Sequence, residues 1–104
     1  MTYKLFIDDE RFPPDDGTNW TVVRTSDDAL KLCKLDCPSF ISFDHDLGGD
    51  DTSMVFLHAW IDWMLDNQIS LPKDFDFYVH SQNPIGAENI RNLLTSFKKH
   101  NPIV

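Results

Sequence analysis

The stretch Tyr3-Lys4-Leu5-Phe6-Ile7-Asp8-Asp9-Glu10 decides the fold, because a short apolar run ends abruptly there in three acidic residues. Such a run is typical of a strand buried in the centre of a parallel sheet, with the acidic residues at the carboxyl edge. Residues 11–17 follow with two adjacent prolines and a glycine. Because this segment is too short and too rich in proline for a full helix, we expect the first crossover helix to be shrunken or absent.

The rest of the sequence alternates predicted strands with predicted helices. Apolar runs predict strands at residues 20–24, 40–43 and 75–79. Thr25, followed three positions later by Asp28, resembles a capping box that opens a helix, and an amphipathic helix follows the last strand. Because strands that alternate with helices form right-handed crossovers, these elements predict one small three-layer α/β domain over residues 1–104. Its parallel sheet should have about four strands.

Length, composition and charge restrict the classes of function. The 104 residues are enough for one domain and leave no room for a second. The formal net charge of −8 opposes binding of duplex DNA, because a duplex binder needs a surface of lysine and arginine. No apolar run is as long as a membrane span, and no basic and apolar leader follows Met1, so we expect a cytoplasmic protein without a membrane partner. Cys33 and Cys37 lack a second cysteine pair that would complete a zinc site, so we expect small buried thiols.

Residues 52–67 form a predicted helix that is apolar on nearly every face. His58, Asp62 and Asp66, spaced four apart, make its one narrow polar stripe. Such a helix needs cover on two sides. The second cover is either a partner subunit, which would give a homodimer through this helix, or neighbouring loops of the same chain.

Acidic residues follow two of the predicted strands, at the point where each strand ends. Carboxyl ends of parallel strands meet at one edge of the sheet and form its ligand site. Carboxylates gathered there repel one another unless a cation compensates them, and hard oxygen ligands suit Mg²⁺ or Mn²⁺. We therefore predict a metal site formed by Asp8, Asp9, Asp44 and Asp46. Only one of Asp44 and Asp46 needs to face the metal, and the other could orient His45.

Two histidines at the same edge add groups that can transfer protons near neutral pH. His45 lies between Asp44 and Asp46, whose charges stabilise its imidazolium form, and His80 directly follows the fourth strand. The pattern predicts a catalytic group of His45, His80 and Asp44. Which histidine is the acid and which the base is not decided by the sequence.

Other residues near the strand ends are suited to hold a phosphate. Hydroxyl and amide side chains bond phosphate oxygens, and glycines let backbone N–H groups approach an anion closely. Arg11 is the one cation directly beside the acidic loops, so it either clamps a phosphate or pairs with Asp9 or Glu10. The candidates for substrate binding are therefore Arg11, Gly48, Ser81, Asn83 and Gly86.

Three runs of the sequence resemble a known family, the cyclic-phosphate-processing receiver-like domains, which derive from response-regulator receivers. The runs are Leu5-Phe6-Ile7-Asp8-Asp9-Glu10-Arg11, Ser42-Phe43-Asp44-His45-Asp46-Leu47-Gly48 and His80-Ser81-Gln82-Asn83-Pro84-Ile85-Gly86-Ala87. Their Asp-His-Asp and His-Ser-x-Asn-Pro groups are absent from ordinary receivers. The resemblance implies a truncated flavodoxin- or receiver-like fold. It also implies action on cyclic nucleotides or on RNA ends with a 2′,3′-cyclic phosphate, in RNA repair or in conflict between phage and host.

The resemblance and the residues together give one leading hypothesis and two alternatives. The leading hypothesis is a metal-dependent phosphoesterase that opens a cyclic phosphate. One alternative is a binding module that sequesters a cyclic nucleotide without cleaving it. The other is a degenerate receiver that serves protein interaction. An ordinary receiver has a lysine after a fifth strand, and here no fifth strand is expected beyond at most residues 102–104, which favours hydrolysis over phosphorylation at Asp44.

Overall fold

The computed structural model describes residues 3–100 and shows a parallel four-stranded sheet with three helices, as predicted. The sheet order is β2 (Trp20–Val23), β1 (Lys4–Ile7), β3 (Phe40–Phe43) and β4 (Asp76–Val79), so the strand that opens the sequence is one of the two central strands. A last strand at residues 102–104 lies outside the described residues. The elements are β1 (Lys4–Ile7), β2 (Trp20–Val23), α1 (Ser26–Leu35), β3 (Phe40–Phe43), α2 (Ser53–Asp66), β4 (Asp76–Val79) and α3 (Pro84–His100).

One face of the sheet carries the hydrophobic core and the three helices. The crossovers from β2 to β3 and from β3 to β4 advance in the same direction across the sheet, so right-handed connections place α1 and α2 on the same face. Alternate strand residues point to that face and join one buried cluster with residues of all three helices. The strand members of the cluster are Leu5, Ile7, Ile41, Phe43 and Val79.

The other face of the sheet carries a loop where a three-layer fold would carry a helix. The connection from β1 to β2 has no helix, as the prolines predicted, and Phe12 and Pro14 of this connection lie beside the sheet residues Phe6 and Trp20. The second covering layer is therefore thin. On this face Phe6 is buried, whereas Tyr78 of the sheet remains 62% exposed.

Other elements of the same chain cover helix α2 on two sides. It packs against α1 and α3 as well as the sheet, and Trp60 is buried and stacked on Phe56 at 5.3 Å between ring centroids. The apolar pattern that suggested a homodimer is thus explained by the neighbouring helices, and a dimer through this helix stays a prediction. Val55 and Leu65 are its half-exposed apolar residues.

Among the described residues, no helix combines the length and the apolar character that crossing a bilayer requires.

The two thiols differ in their surroundings. Cys33 is buried in the core on α1, whereas Cys37 follows that helix and is only partly buried. Burial raises the pKa of Cys33 to about 12 and that of Cys37 to about 11. Both thiols are therefore protonated and weakly nucleophilic at neutral pH, which agrees with a packing role.

Thr25→Ala is expected to lower the free energy of unfolding by about 1 kcal/mol, because α1 loses its N-cap. The Thr25 hydroxyl oxygen accepts a hydrogen bond from the backbone N–H of Asp28 at 3.1 Å, as the capping pattern predicted. Urea denaturation followed by circular dichroism measures the change. Thr25→Ser keeps the hydroxyl and should be close to wild type; equal losses in both variants would contradict the capping role.

Candidate functional site

Three carboxylates meet at the carboxyl edge of the sheet. Asp8 and Asp9 follow β1, Asp44 follows β3, and each offers an oxygen within 4.8 Å of the others. The two strands are direct neighbours with Ile7 paired to Phe43, so the residues that follow them are brought side by side. Parallel pairing therefore produces the cluster that the strand ends predicted.

Asp8 is fully buried and strongly held in its charged form. Its Oδ1 accepts hydrogen bonds from the backbone N–H groups of Glu10 at 3.0 Å and Arg11 at 2.9 Å. Its Oδ2 is 2.9 Å from Nε2 of His80. Burial by itself raises the pKa of Asp8, but these hydrogen bonds outweigh it, so the pKa lies below its ordinary value. Asp8 is a fixed negative charge at the base of the cluster.

Asp44 has the opposite electrostatic character. Partial burial and then the nearby charge of Asp8 raise its pKa, against weaker stabilisation by His80 and a hydrogen bond from Ser81. Its backbone is fixed on both sides, since its N–H donates to the carbonyl of Ile7 at 2.8 Å and its carbonyl accepts from the hydroxyl of Ser53. Asp44 is therefore a rigidly placed carboxylate whose charge lacks full compensation.

His80 contacts the buried carboxylate of the cluster, that of Asp8. Its ring crosses over β3, with Nε2 on the carboxylate of Asp8 and Nδ1 2.7 Å from the hydroxyl of Ser42. The ring also stacks on Phe6, with centroids 4.6 Å apart and planes at 4°. Both ring nitrogens are thus engaged, and this geometry suits a residue that orients Asp8.

His45 and Asp46 form a separate pair beside the cluster. Nδ1 of His45 is 3.0 Å from Oδ1 of Asp46, and Oδ2 of Asp46 accepts from the amide of Asn83 at 3.4 Å. These two contacts lower the pKa of Asp46, first of all the one with His45. Asp46 lies outside the three-carboxylate cluster, so of the two roles considered for it, orientation of His45 is the one that the contacts support.

Gly86 provides the space in which the His45 ring lies. A β-carbon at residue 86 would come within 2.5 Å of Cδ2 and 2.7 Å of Nδ1 of that ring. The backbone N–H of Gly86, expected to face an anion, donates instead to Oδ1 of Asn83 at 3.0 Å. Asn83 caps α3 ahead of Pro84, which suits the first helical position. The sequence singled out Gly86 for anion binding, whereas the structure gives it a packing function.

An open pocket of about 500 Å³ lies above the carboxylates. Arg11 borders it and forms no ion pair with Asp9 or Glu10 among residues 3–100, and its role as a phosphate clamp stays a prediction. Neither His45 nor His80 belongs to the lining. The lining residues are Asp9, Glu10, Arg11, Asp44, Asp46, Gly48, Gly49, Ser81, Gln82 and Asn83.

Gly48 and Gly49 let the β3–α2 loop turn beside the pocket. Both have positive φ, 93° and 57°, which side chains disfavour. The site of a β-carbon on Gly48 is 3.5 Å from Oδ2 of Asp9, so the turn lies against the acidic cluster. The loop is closed by the hydrogen bond from the N–H of Asp51 to the carbonyl of Gly48 at 3.0 Å.

A comparison with protein families agrees with this geometry. The model of the family described as "Cyclic-phosphate processing Receiver domain" matches residues 3–96, which is nearly the whole described chain. The chain belongs to this family. A search of curated proteins and a search of solved structures found no match. The receiver-like fold and the association with cyclic-phosphate processing are therefore established, and the resemblance seen in the sequence is confirmed.

The sequence analysis missed two residues, Arg24 and Ser42, that hold parts of the site in position. Arg24 follows β2 and donates from Nη1 to the carbonyls of Asp8, at 3.0 Å, and Arg11, which fixes the chain as it leaves the acidic cluster. Because Val23 pairs with Ile7, the strand-end argument that found Asp8 could also have found Arg24. Ser42 gave no such signal, since its contact with His80 joins residues far apart in sequence.

The donors present in the cluster fit a hard divalent cation. Each of the three aspartates presents a carboxylate oxygen to a shared centre. Among residues 3–100, no lysine or arginine pairs with these carboxylates, and burial, followed by the charge of Asp8, raises the pKa of Asp44. Oxygen donors and uncompensated charge are what Mg²⁺ and Mn²⁺ require.

Proposed function

We propose that this protein is a metal-dependent phosphoesterase that opens a cyclic phosphate. The observation that carries the proposal is the three-carboxylate cluster, whose charge lacks full compensation, in a receiver domain of a cyclic-phosphate-processing family. A divalent cation, Mg²⁺ or Mn²⁺, would be held by Asp8, Asp9 and Asp44. When bound, it would offset phosphoryl charge and make a bound water more acidic.

The side chains around the pocket supply the rest of the chemistry. Arg11 stands at the pocket wall, where its guanidinium can bond two oxygens of one phosphoryl group. Ser81 and Asn83 also line the pocket, where the second amide hydrogen of Asn83, beside the one donated to Asp46, can bond a phosphoryl or sugar oxygen. A cyclic phosphate diester carries one negative charge, which Arg11 can match, while a divalent cation would offset two of the three aspartate charges.

The contacts of the histidines revise their proposed roles. His80 holds Asp8, a candidate cation ligand, in the way that outer hydrogen-bond partners orient metal ligands. His45 contacts Asp46, which lines the pocket, whereas both ring nitrogens of His80 are engaged by Asp8 and Ser42. We therefore propose His45 as the proton-transferring residue and His80 as a positioning residue.

A second candidate function is a module that binds a cyclic phosphate without opening it. The observation that favours it is that the pocket lining contains no histidine, so a ligand can be held there without a residue that exchanges protons near neutral pH. The same cation and the same side chains would bind the ligand in both functions.

Incubation of the purified protein with cyclic phosphates and Mn²⁺ or Mg²⁺ is expected to give ring-opened products, and an excess of EDTA should abolish them. The panel contains 2′,3′-cyclic nucleotides, 3′,5′-cyclic nucleotides and RNA oligonucleotides with a cyclic phosphate end, and mass spectrometry detects a mass gain of one water. His45→Gln should lower turnover by about 100-fold, within the range of general acid–base catalysis, while ligand binding persists. Saturable binding with ligand recovered intact would instead establish the binding module.

A further inference from the structure

A second pocket lies on the face of the sheet that carries no helix. It has a volume of about 410 Å³, within the range of roughly 300–1,000 Å³ typical of small-molecule sites. Its walls are mostly aromatic, and two of these rings are unusually exposed, with Phe12 at 82% and Tyr78 at 62%. The aromatic members of the wall are Phe6, Phe12, Trp20, Phe40 and Tyr78.

The register of the strands places this pocket directly below the acidic cluster. Phe6, Ser42 and Tyr78 form one cross-strand row on the helix-free face. Side chains two residues further along each strand point to the same face, about 7 Å away. That next row consists of Asp8, Asp44 and His80. The distance between the rows is comparable with the separation of base and phosphate in a nucleotide.

Two residues connect this second pocket, the aromatic pocket, with the pocket above the carboxylates, the acidic pocket. Arg11 borders both, and His80 borders the aromatic pocket while its Nε2 contacts Asp8. Arg24 fixes this junction, since it bonds the carbonyl of Arg11 and lies over the ring of Phe12, 5.2 Å from its centroid. The two pockets therefore share Arg11 as a common wall residue.

One residue of the aromatic wall, Trp20, carries a hydrogen-bond donor without a partner among residues 3–100. The donor is its indole N–H, which is buried. Buried N–H groups normally find an acceptor. This donor lies under the surface of the wall, so the groups that an occupant meets are the exposed rings of Phe12 and Tyr78, with Arg11 beside them.

We propose that the aromatic pocket is a base-binding subsite, which holds the nucleobase of a ligand whose cyclic phosphate lies in the acidic pocket. This inference rests on the proposed function, because it assigns the substrate class of that site as nucleotides, as distinct from cyclic phosphates of simple sugars. The base stacks against Phe12 and Tyr78, and Arg11 lies between base and phosphate. Stacking on aromatic side chains accepts any base, so the subsite confers affinity for nucleotides with little sequence preference.

Titration of the ¹⁵N-labelled protein, observed by NMR, tests this subsite with three probes: adenosine, adenosine 2′,3′-cyclic phosphate, and the 2′,3′-cyclic phosphate of methyl riboside, which lacks a base. Adenosine should shift the amide signals of Phe6, Ser42 and Tyr78 without any metal. The cyclic nucleotide should bind at least about tenfold more tightly than the cyclic phosphate without a base, from the value of one stacking contact.

Phe12→Ala and Tyr78→Ala should each remove most of this tenfold advantage and leave affinity for the riboside cyclic phosphate unchanged. Leu65→Ala, a half-exposed apolar residue on α2, is the matched control and should have no effect. Equal affinity of the two cyclic phosphates, or an advantage that survives both aromatic substitutions, overturns the subsite and leaves the phosphoesterase standing. Adenosine shifts in the aromatic pocket without binding of either cyclic phosphate support the subsite and overturn the proposed function.

Discussion

Asp44→Asn is expected to weaken Mn²⁺ binding by at least about 100-fold and to reduce phosphoesterase turnover to background. Substitution of residues that only orient metal ligands costs 10–100-fold in affinity, so loss of a direct ligand should reach or exceed the upper end. The substitution preserves shape and removes the carboxylate charge. Isothermal titration calorimetry with Mn²⁺ measures the affinity.

The same substitution should stabilise the metal-free protein, which distinguishes lost ligation from lost folding. In the absence of a cation, the raised pKa of Asp44 means that its charge is disfavoured by burial and by Asp8. Neutralisation removes this penalty, so the melting temperature in EDTA should be equal to or above that of wild type. Added Mn²⁺ should raise the melting temperature of wild type and leave the variant unchanged.

The matched control is Asp62→Asn, which makes the same charge change at an exposed position on α2 far from the sheet edge. It should keep wild-type affinity for Mn²⁺ and wild-type turnover. Retention of Mn²⁺ affinity by Asp44→Asn would exclude the carboxylate cluster as the cation site.

Gly86→Ala is expected to destabilise the protein by about 1–3 kcal/mol, as overpacked sites do. The usual effect in a helix has the opposite sign, since alanine is favoured over glycine there by roughly 1 kcal/mol. Here the added β-carbon overlaps the His45 ring, which cannot move away without leaving Asp46. Chemical denaturation measures the change, and turnover should fall with it because the His45 ring is displaced.

A double-mutant cycle isolates this contact. In a His45→Ala background the ring is absent, so Gly86→Ala should become neutral or stabilising. A loss of stability that is the same in both backgrounds would show that residue 86 is constrained by something other than His45.

The strands and the acidic cluster were predictable because they depend on local patterns. An apolar run followed by Asp8 and Asp9 identifies a strand and its carboxyl end, and parallel pairing then brings Asp44 alongside. The prolines of the β1–β2 connection likewise predicted that this connection contains no full helix. The partner of His80 was not predictable, because its contact with Asp8 spans 72 positions. It depends on a ring that crosses the small side chain of Ser42.

By itself, the sequence determined the class of fold, the parallel sheet and the meeting of Asp8, Asp9 and Asp44 at its edge, since backbone periodicity and strand direction fix these features. Only the tertiary structure decided that Asp46 turns to His45 and that Gly86 makes room for that ring. It also decided that the imidazole ring of His80 contacts the carboxylate of Asp8. The contacts of His80 and Gly86 depend on side-chain packing between elements distant in sequence, which local patterns do not record, whereas the role of Asp46 was one of two alternatives that the sequence left open.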